Sequence, residues 1–193
     1  MTALAGGRRW SVMTAAATIV LAACASQASS PEPVAAPTIP PGWVTVSTAG
    51  AEIQLTLPPW LVVFDNVNAI FANEAPPPGE TEIPIQLMAV PPGIDSDPGP
   101  GEDLIAWIDS QLDDPGKGVP VVTEVNLPAG SAVRYERLDR VGTPTAWRLL
   151  AFAIRTRTGA VFLMIDGLPD AWPARAQDIE RIPLLLWVPE GRR

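Results

Sequence analysis

Two stretches in the second half of the chain decide the fold: Leu149-Leu-Ala-Phe-Ala-Ile154, in a strand predicted over Thr145–Thr156, and Val161-Phe-Leu-Met-Ile165, in a strand predicted over Ala160–Ile165. In both, apolar residues occupy successive positions, so a strand built from either stretch is apolar on both of its faces. Such strands lie in the middle of a sheet whose two faces are both covered. The sequence therefore predicts a central sheet with a covering layer on each side.

Shorter strands are predicted on both sides of these two stretches. Val121–Leu127 and Ala132–Leu138 precede them and are joined through glycine-containing turns, which is typical of an antiparallel meander. Earlier in the chain, alternating polar and apolar residues predict a hairpin over Trp43–Thr48 and Ala51–Leu57. Three further short strands are predicted at Leu61–Phe64, Asn68–Ala72 and Ile83–Val90.

Two helices complete the predicted fold. Glu102–Leu112 carries an apolar stripe that includes Leu104, Ile108 and Leu112. Asp170–Ile182 is the second helix, with Asp170 as its expected N-cap. We therefore expect an α/β protein of the α+β type: a mostly antiparallel sheet with helices on both faces, an α-β-α sandwich.

The order of these elements is similar to that of a known fold. A hairpin over Trp43–Leu57, one amphipathic helix and a run of long strands are followed by a helix that contains Ile179 and Ile182. This order resembles the PsbP-like fold of extrinsic photosystem II proteins and of many small bacterial lipoproteins, over residues 42–188. The resemblance implies a binding or accessory module without an established enzymatic activity. It matches no site motif, so it assigns no functional residue.

The amino-terminal region has the pattern of an export signal. Arg8 and Arg9 precede an apolar stretch, Trp10–Ala23, that is too short for a permanent membrane-spanning helix. The stretch ends in Leu21-Ala22-Ala23-Cys24, which resembles the lipobox of bacterial lipoproteins. In that family the cysteine thiol receives a diacylglyceryl group and the chain is cut just before it. The alternative is an ordinary secretory peptide cut at an Ala-x-Ala site, with Cys24 incidental.

These patterns divide the chain into four segments. We expect a lipoprotein signal peptide at 1–23, a Pro/Ala/Ser-rich tether at 24–41, one globular domain at 42–188 and a tail at 189–193. The expected location is outside the cytoplasm, with the protein anchored to the bacterial cell membrane by a lipid on Cys24.

Composition excludes several classes of function. The net charge of −8 argues against a nucleic-acid partner, because phosphate binding requires a basic face. The chain has no histidine and one cysteine, which removes Ser-His-Asp and Cys-His catalysis and the usual zinc sites. We therefore expect no cofactor.

One acidic loop has the composition of a calcium site. Asp95, Asp97, Glu102 and Asp103 lie close together in sequence, and Ca²⁺ prefers carboxylate oxygens. The spacing does not match an EF-hand, because Gly99, rather than an acid or amide, stands at the fifth position. We therefore expect a polar loop without a bound metal.

The arginines and the tryptophans can each have either a structural role or a role in binding. Lys117 is the only basic residue between Cys24 and Val133, whereas arginines outnumber acids after Val133. These arginines either pair across strands with acids such as Glu136 and Asp139 or form an anion-binding face. The tryptophans outside the leader either pack in the core or form a ligand-stacking cluster: Trp43, Trp60, Trp107, Trp147, Trp172 and Trp187.

The function that these observations favour is binding or scaffolding at the cell envelope, with a protein or small-molecule partner that the sequence does not name. The alternative is a small carboxylate-dependent hydrolase. Two carboxylates that converge in a deep pocket would favour the enzyme, and a shallow apolar groove would favour binding.

Overall fold

The computed structural model describes residues 37–93, 98, 102–112, 118–143, 145–156 and 159–189. Every described residue belongs to one compact unit, Pro33–Arg193. The expected signal peptide, Cys24, the tether up to residue 36 and the tail from residue 190 lie outside the described residues. Within those ranges, the helices are too short and too polar to cross a membrane.

The first half of the described chain is built mainly of short strands. Its elements are β1 (Val44–Ser47), β2 (Gln54–Leu57), β3 (Leu61–Asp65), β4 (Ile70–Glu74), β5 (Ile85–Val90) and helix α1 (Leu104–Gln111). The second half holds the long strands and the carboxyl-terminal helix. Its elements are β6 (Val121–Leu127), β7 (Gly130–Asp139), β8 (Trp147–Arg155), β9 (Ala160–Gly167), helix α2 (Trp172–Arg181), a 3₁₀ helix (Ile182–Leu185) and β10 (Leu186–Trp187).

Seven of these strands form one antiparallel sheet in the order β3-β4-β5-β9-β8-β7-β6. The predicted meander is present in β6 to β9, and the pairing of β5 with β9 joins it to the earlier strands. The two strands that are apolar on both faces, β8 and β9, lie side by side inside the sheet. A second sheet has the order β1-β2-β10.

One face of the seven-stranded sheet, which we call the α2 face, carries Leu150, Phe152 and Ile154. It is covered by α2, the 3₁₀ helix and the second sheet, whose buried residues include Leu55 and Leu186. These groups form the larger of the two apolar cores. Burial of this much apolar surface is the main favourable term in folding.

The opposite face, which we call the α1 face, carries Leu149, Ala151 and Ala153. Helix α1 packs on it through Trp107 and Ile108, and the Trp107 ring meets Phe162 edge-on with 5.8 Å between the ring centroids. The small alanines allow the helix to approach the sheet closely. The cluster around α1 contains no residue of β3 or β4.

The expected mostly antiparallel sheet with two helices is confirmed, and the fold is α+β. The prediction of an α-β-α sandwich, in which a layer of helices covers each face of the sheet, is wrong. The α2 face is covered largely by a second sheet, and the α1 face by one eight-residue helix. Eight helical residues extend only about 12 Å, whereas seven strands at a spacing of about 4.8 Å span about 29 Å.

The helix ends differ from the expected ones. Asp103 is the N-cap of α1, and its Oδ1 accepts a hydrogen bond from the backbone N–H of Ile105 at 2.9 Å. The N-cap of α2 is Ala171 and not Asp170, and no side chain caps it. Pro173 occupies the first turn of α2, and Pro183 lies in the 3₁₀ helix that follows α2.

Candidate functional site

A groove on the α1 face, next to the carboxyl end of α1, is the strongest candidate for a binding site. Its volume is about 490 Å³, which lies within the range of small-molecule sites. We call it the α1-side groove, and its lining residues are Met88, Gln111, Leu112, Arg137, Asp139, Arg140, Trp147, Leu149, Phe162, Met164 and Asp166. It exists because α1 ends at Gln111 while the strands beneath it continue.

The floor of the groove is apolar. Met88 on β5 pairs with Met164 on β9, and Phe162 is two residues earlier on the same face of β9. Leu149 on β8 continues this surface. Methionine side chains adapt their shape to different partners, so a floor with two of them suits an apolar ligand.

Asp166 is the polar group of this floor. It pairs with Gln86 on one side and with Leu149 on the other. Its Oδ2 accepts hydrogen bonds from Gln86 Nε2 at 3.0 Å and from Trp147 Nε1 at 2.6 Å. Its Oδ1 is buried and has no hydrogen-bond partner among the described residues.

Burial raises the pKa of Asp166 above its ordinary value of 3.8, and the hydrogen bonds from Gln86 and Trp147 only partly oppose this effect. Only 6% of the residue is exposed. A buried carboxylate with one unpaired oxygen destabilises the fold, and such features are typical of binding and catalytic sites.

The raised pKa of Asp166 predicts a specific pH dependence. Because the folded state holds this proton more tightly than the unfolded chain does, folding stability decreases as the pH rises from about 3.8 through the folded-state pKa. We expect Asp166→Asn to lack this decrease. Urea unfolding of both proteins across this pH range measures the difference, with the exposed Asp170→Asn as the control. A difference that does not change with pH would contradict the prediction.

An ion pair closes one end of the groove. Arg137 and Asp139 are 3% and 4% exposed, and 2.7 Å separates Arg137 Nε from Asp139 Oδ1. The same Oδ1 accepts the backbone N–H of Gly118 at 2.8 Å. Residue 118 must be glycine for this approach, because a Cβ would lie 2.1 Å from the Leu138 carbonyl oxygen.

The ion pair continues into a hydrogen-bonded chain toward α1. Arg137 donates to the hydroxyl of Tyr135 at 3.3 Å, and that hydroxyl donates to Asp109 Oδ1 at 2.7 Å. Burial and the bond to Asp109 raise the pKa of Tyr135. The chain connects the middle of β7 to α1 and thereby holds the helix beside the groove.

Beyond the groove, the α1 face of β3 and β4 carries exposed apolar residues. Val62 and Phe64 are 58% and 63% exposed, and the Phe64 ring lies 5.9 Å from that of Phe71. Together these three side chains form an apolar strip on the part of the sheet that α1 does not reach. Exposed apolar patches of this kind often mark interaction sites.

Four arginines of the second half of the chain form ion pairs with carboxylates in the described residues: Arg134, Arg137, Arg148 and Arg175. Arg134 binds both carboxylate oxygens of Glu180 and also contacts Glu136, and Arg148 contacts Glu136 at 2.5 Å. Burial acts to raise the pKa of Glu136, but the hydrogen bonds from the two arginines lower it overall. These contacts favour structural ion pairing over an anion-binding face, although among the described residues only the pair of Arg148 with Glu136 crosses between strands. Arg157 lies outside the described residues.

The acidic loop is described only in part. Asp95 and Asp97 lie outside the described residues. Asp103 serves as the cap of α1, and Glu102 contributes its carbonyl oxygen to a hydrogen bond from Arg155 at 2.7 Å. In the part of the chain that the structure describes, no three acidic, histidine or cysteine side chains are grouped so as to hold a metal ion.

The six tryptophans that the structure describes do not form a stacking cluster. Trp107 and Trp172 are buried, Trp187 is half exposed, and only Trp147 lines the α1-side groove. Trp60 donates its Nε1–H to Asp178 of α2 at 2.9 Å, so its polar atom also has a structural role.

Asp166 is not among the site residues predicted from the sequence. One signal was available: an acid follows Phe162 and Met164 at two-residue spacing, on the same face of a strand that is otherwise apolar. An acid at such a position is either paired or functional. The partners of its Oδ2 could not be identified, because Gln86 reaches it only through the pairing of β5 with β9.

Comparisons with known proteins place the fold. No model of a known protein family and no curated protein matches the chain. Among solved structures, the Ran-binding protein Mog1p of Saccharomyces cerevisiae is 11% identical with a TM-score of 0.52, over 76% of this chain and 95% of that one. Cyanobacterial PsbP (CyanoP) from Synechocystis is 10% identical with a TM-score of 0.52, over 77% and 93%.

A third similar structure is the protein of unknown function PA94 from Pseudomonas aeruginosa, which is 14% identical with a TM-score of 0.50 over 78% of this chain and 99% of that one. Identities this low show a shared fold and nothing about function. The resemblance to the PsbP-like fold is therefore confirmed for the fold alone.

Proposed function

We propose that this protein is a lipid-anchored, extracytoplasmic binding or accessory module whose ligand site is the α1-side groove. The observation that carries the proposal is Asp166, a buried carboxylate with one unpaired oxygen, set in an apolar floor. The structures that share the fold support it, since one of them is a Ran-binding protein. The CyanoP structure adds a second protein of this fold whose name assigns it no enzymatic activity.

The groove supports binding more than hydrolysis. Two carboxylates line it, those of Asp139 and Asp166, but Asp139 Oδ1 is held by Arg137 and by the Gly118 N–H. A carboxylate that neutralises a buried arginine is poorly suited to proton transfer. The carboxylate-dependent hydrolase remains the alternative prediction.

The binding proposal is tested with the methionine methyl groups. Of the four methionines, Met88 and Met164 line the groove, whereas Met1 and Met13 lie in the expected leader. In the protein labelled with ¹³C at the methionine methyls, 1-methylindole should shift the Met88 and Met164 signals, which are the two that remain once the expected leader is removed. Met88→Leu assigns the first signal. Unchanged groove signals at millimolar probe would contradict the proposal.

Membrane attachment is proposed from the lipobox, because the only cysteine of the chain stands at the position where the box requires it. The acyl chains on one such cysteine bury far more methylene groups than a single reversible myristoyl anchor does. Cys24→Ser should therefore move the protein from the detergent phase to the aqueous phase and abolish labelling with radioactive fatty acid. Ser26→Ala is the matched control. Equal membrane retention of the Cys24→Ser variant would refute the lipid anchor.

A further inference from the structure

We infer that the α1-side groove selects small uncharged apolar molecules that carry one hydrogen-bond donor, and that Asp166 Oδ1 accepts that donor. This inference rests on the proposed function, because it assigns the ligand class of the same groove. It starts from the unequal use of the two carboxylate oxygens of Asp166.

The first step is the orientation of the carboxyl group. Its Oδ2 is held by N–H groups from two strands, Gln86 on β5 and Trp147 on β8. These two bonds fix the plane of the group, so Oδ1 occupies a defined position. An acceptor that is oriented before the ligand arrives loses little entropy on binding.

The second step is the state of Oδ1. Buried acceptors in native proteins almost always have a hydrogen-bond partner. Oδ1 has none among the described residues, although Asp166 lines a cavity of about 490 Å³. Because Oδ1 is closed to solvent, a side chain of the floor must move aside before a ligand reaches it. A donor group on that ligand would then supply the missing bond, and a ligand without a donor would leave the acceptor unpaired.

The third step is the charge of the ligand. Two arginines line the groove, Arg137 and Arg140. Asp139 lies 2.7 Å from Nε of the buried Arg137 and neutralises it, and Arg140 is exposed, so solvent screens its charge. An anionic ligand would therefore meet the Asp166 carboxylate without gaining a free buried arginine. The apolar floor of Met88, Phe162 and Met164 favours an uncharged body. Together these features favour a flat, neutral molecule with an N–H or O–H group.

The test compares two probes that differ only in the donor: indole, which has one N–H, and 1-methylindole, which has none. Each is titrated at neutral pH into the full chain, and binding is followed through the Met88 and Met164 methyl signals. We expect indole to bind about tenfold more tightly, because 1-methylindole leaves the buried acceptor without a hydrogen bond. Equal affinities would overturn the inference but leave the proposed function in place, because the groove would still bind apolar molecules.

Asp166→Asn identifies the acceptor. The amide oxygen of asparagine can keep both bonds from Gln86 and Trp147, which leaves an NH₂ group at the position of Oδ1. We expect this variant to fold and to bind the two probes with affinities that agree within about twofold, since a donor would then face a donor. A variant that still prefers indole tenfold would show that Asp166 is not the acceptor. Asp170→Asn, on the exposed turn before α2, is the matched control and should keep the preference.

Discussion

Asp139→Ala is expected to lower the free energy of unfolding by about 3–5 kcal/mol, because it leaves the charge of Arg137 buried without a partner. Arg137 is 3% exposed, and its Nε lies 2.7 Å from the Oδ1 of Asp139, with which it forms an ion pair. The same substitution removes the acceptor of the Gly118 N–H. Urea unfolding followed by tryptophan fluorescence measures the loss.

Two further variants separate the ion pair from simple truncation. The double variant Arg137→Met/Asp139→Ala should be more stable than Asp139→Ala alone, because it leaves no buried charge. Glu180→Ala removes an exposed partner of Arg134 and should cost no more than about 1 kcal/mol. If Asp139→Ala costs as little as Glu180→Ala, the buried pair does not have the role assigned to it.

The parts of the fold that the sequence predicts are those that depend on local pattern. The double-sided apolarity of residues 149–154 and 161–165 predicts that β8 and β9 lie inside the sheet, as they do. The acidic start and apolar stripe of residues 102–112 predict α1, which spans Leu104–Gln111. In both cases neighbouring residues carry the information, and no distant contact is needed to interpret it.

The layers depend on distant contacts, and for that reason the sequence did not predict them. β10 has two residues and becomes a strand only by pairing with β2, more than a hundred residues earlier in the chain. The alternation of β2 shows one buried face but not which sheet the strand joins. How much of the α1 face is covered depends on the length of α1. The predicted helix was three residues longer than the observed one.

The candidate site is predictable only in part for the same reason. An acid on an apolar strand could have identified Asp166 as unusual. Its role depends on Gln86 and Trp147, which are 80 and 19 residues away in sequence and reach it through the registers of β5, β8 and β9. A shift of one residue in either register would turn these side chains to the other face.

The second large effect is expected in the core of the sheet. Phe152 on the α2 face is 2% exposed and packs with the larger apolar core, so Phe152→Ala should cost about 3–5 kcal/mol in the free energy of unfolding. Leu149 on the α1 face is 5% exposed, and Leu149→Ala should cost about 2–5 kcal/mol. Its value should lie toward the lower end, because the emptied space opens into the groove. Chemical denaturation of both variants measures the two costs.

Val62→Ser is the matched control on the same α1 face. Val62 is 58% exposed and lies on β3, outside the cluster around α1, so the change should stay within about 0.5 kcal/mol of the wild-type value. A large loss at Leu149 with almost none at Val62 would show that α1 protects one part of its face and leaves another open. If Val62→Ser costs as much as Leu149→Ala, this part of the face is also covered in the folded protein. The apolar strip of Val62, Phe64 and Phe71 would then be core and not surface.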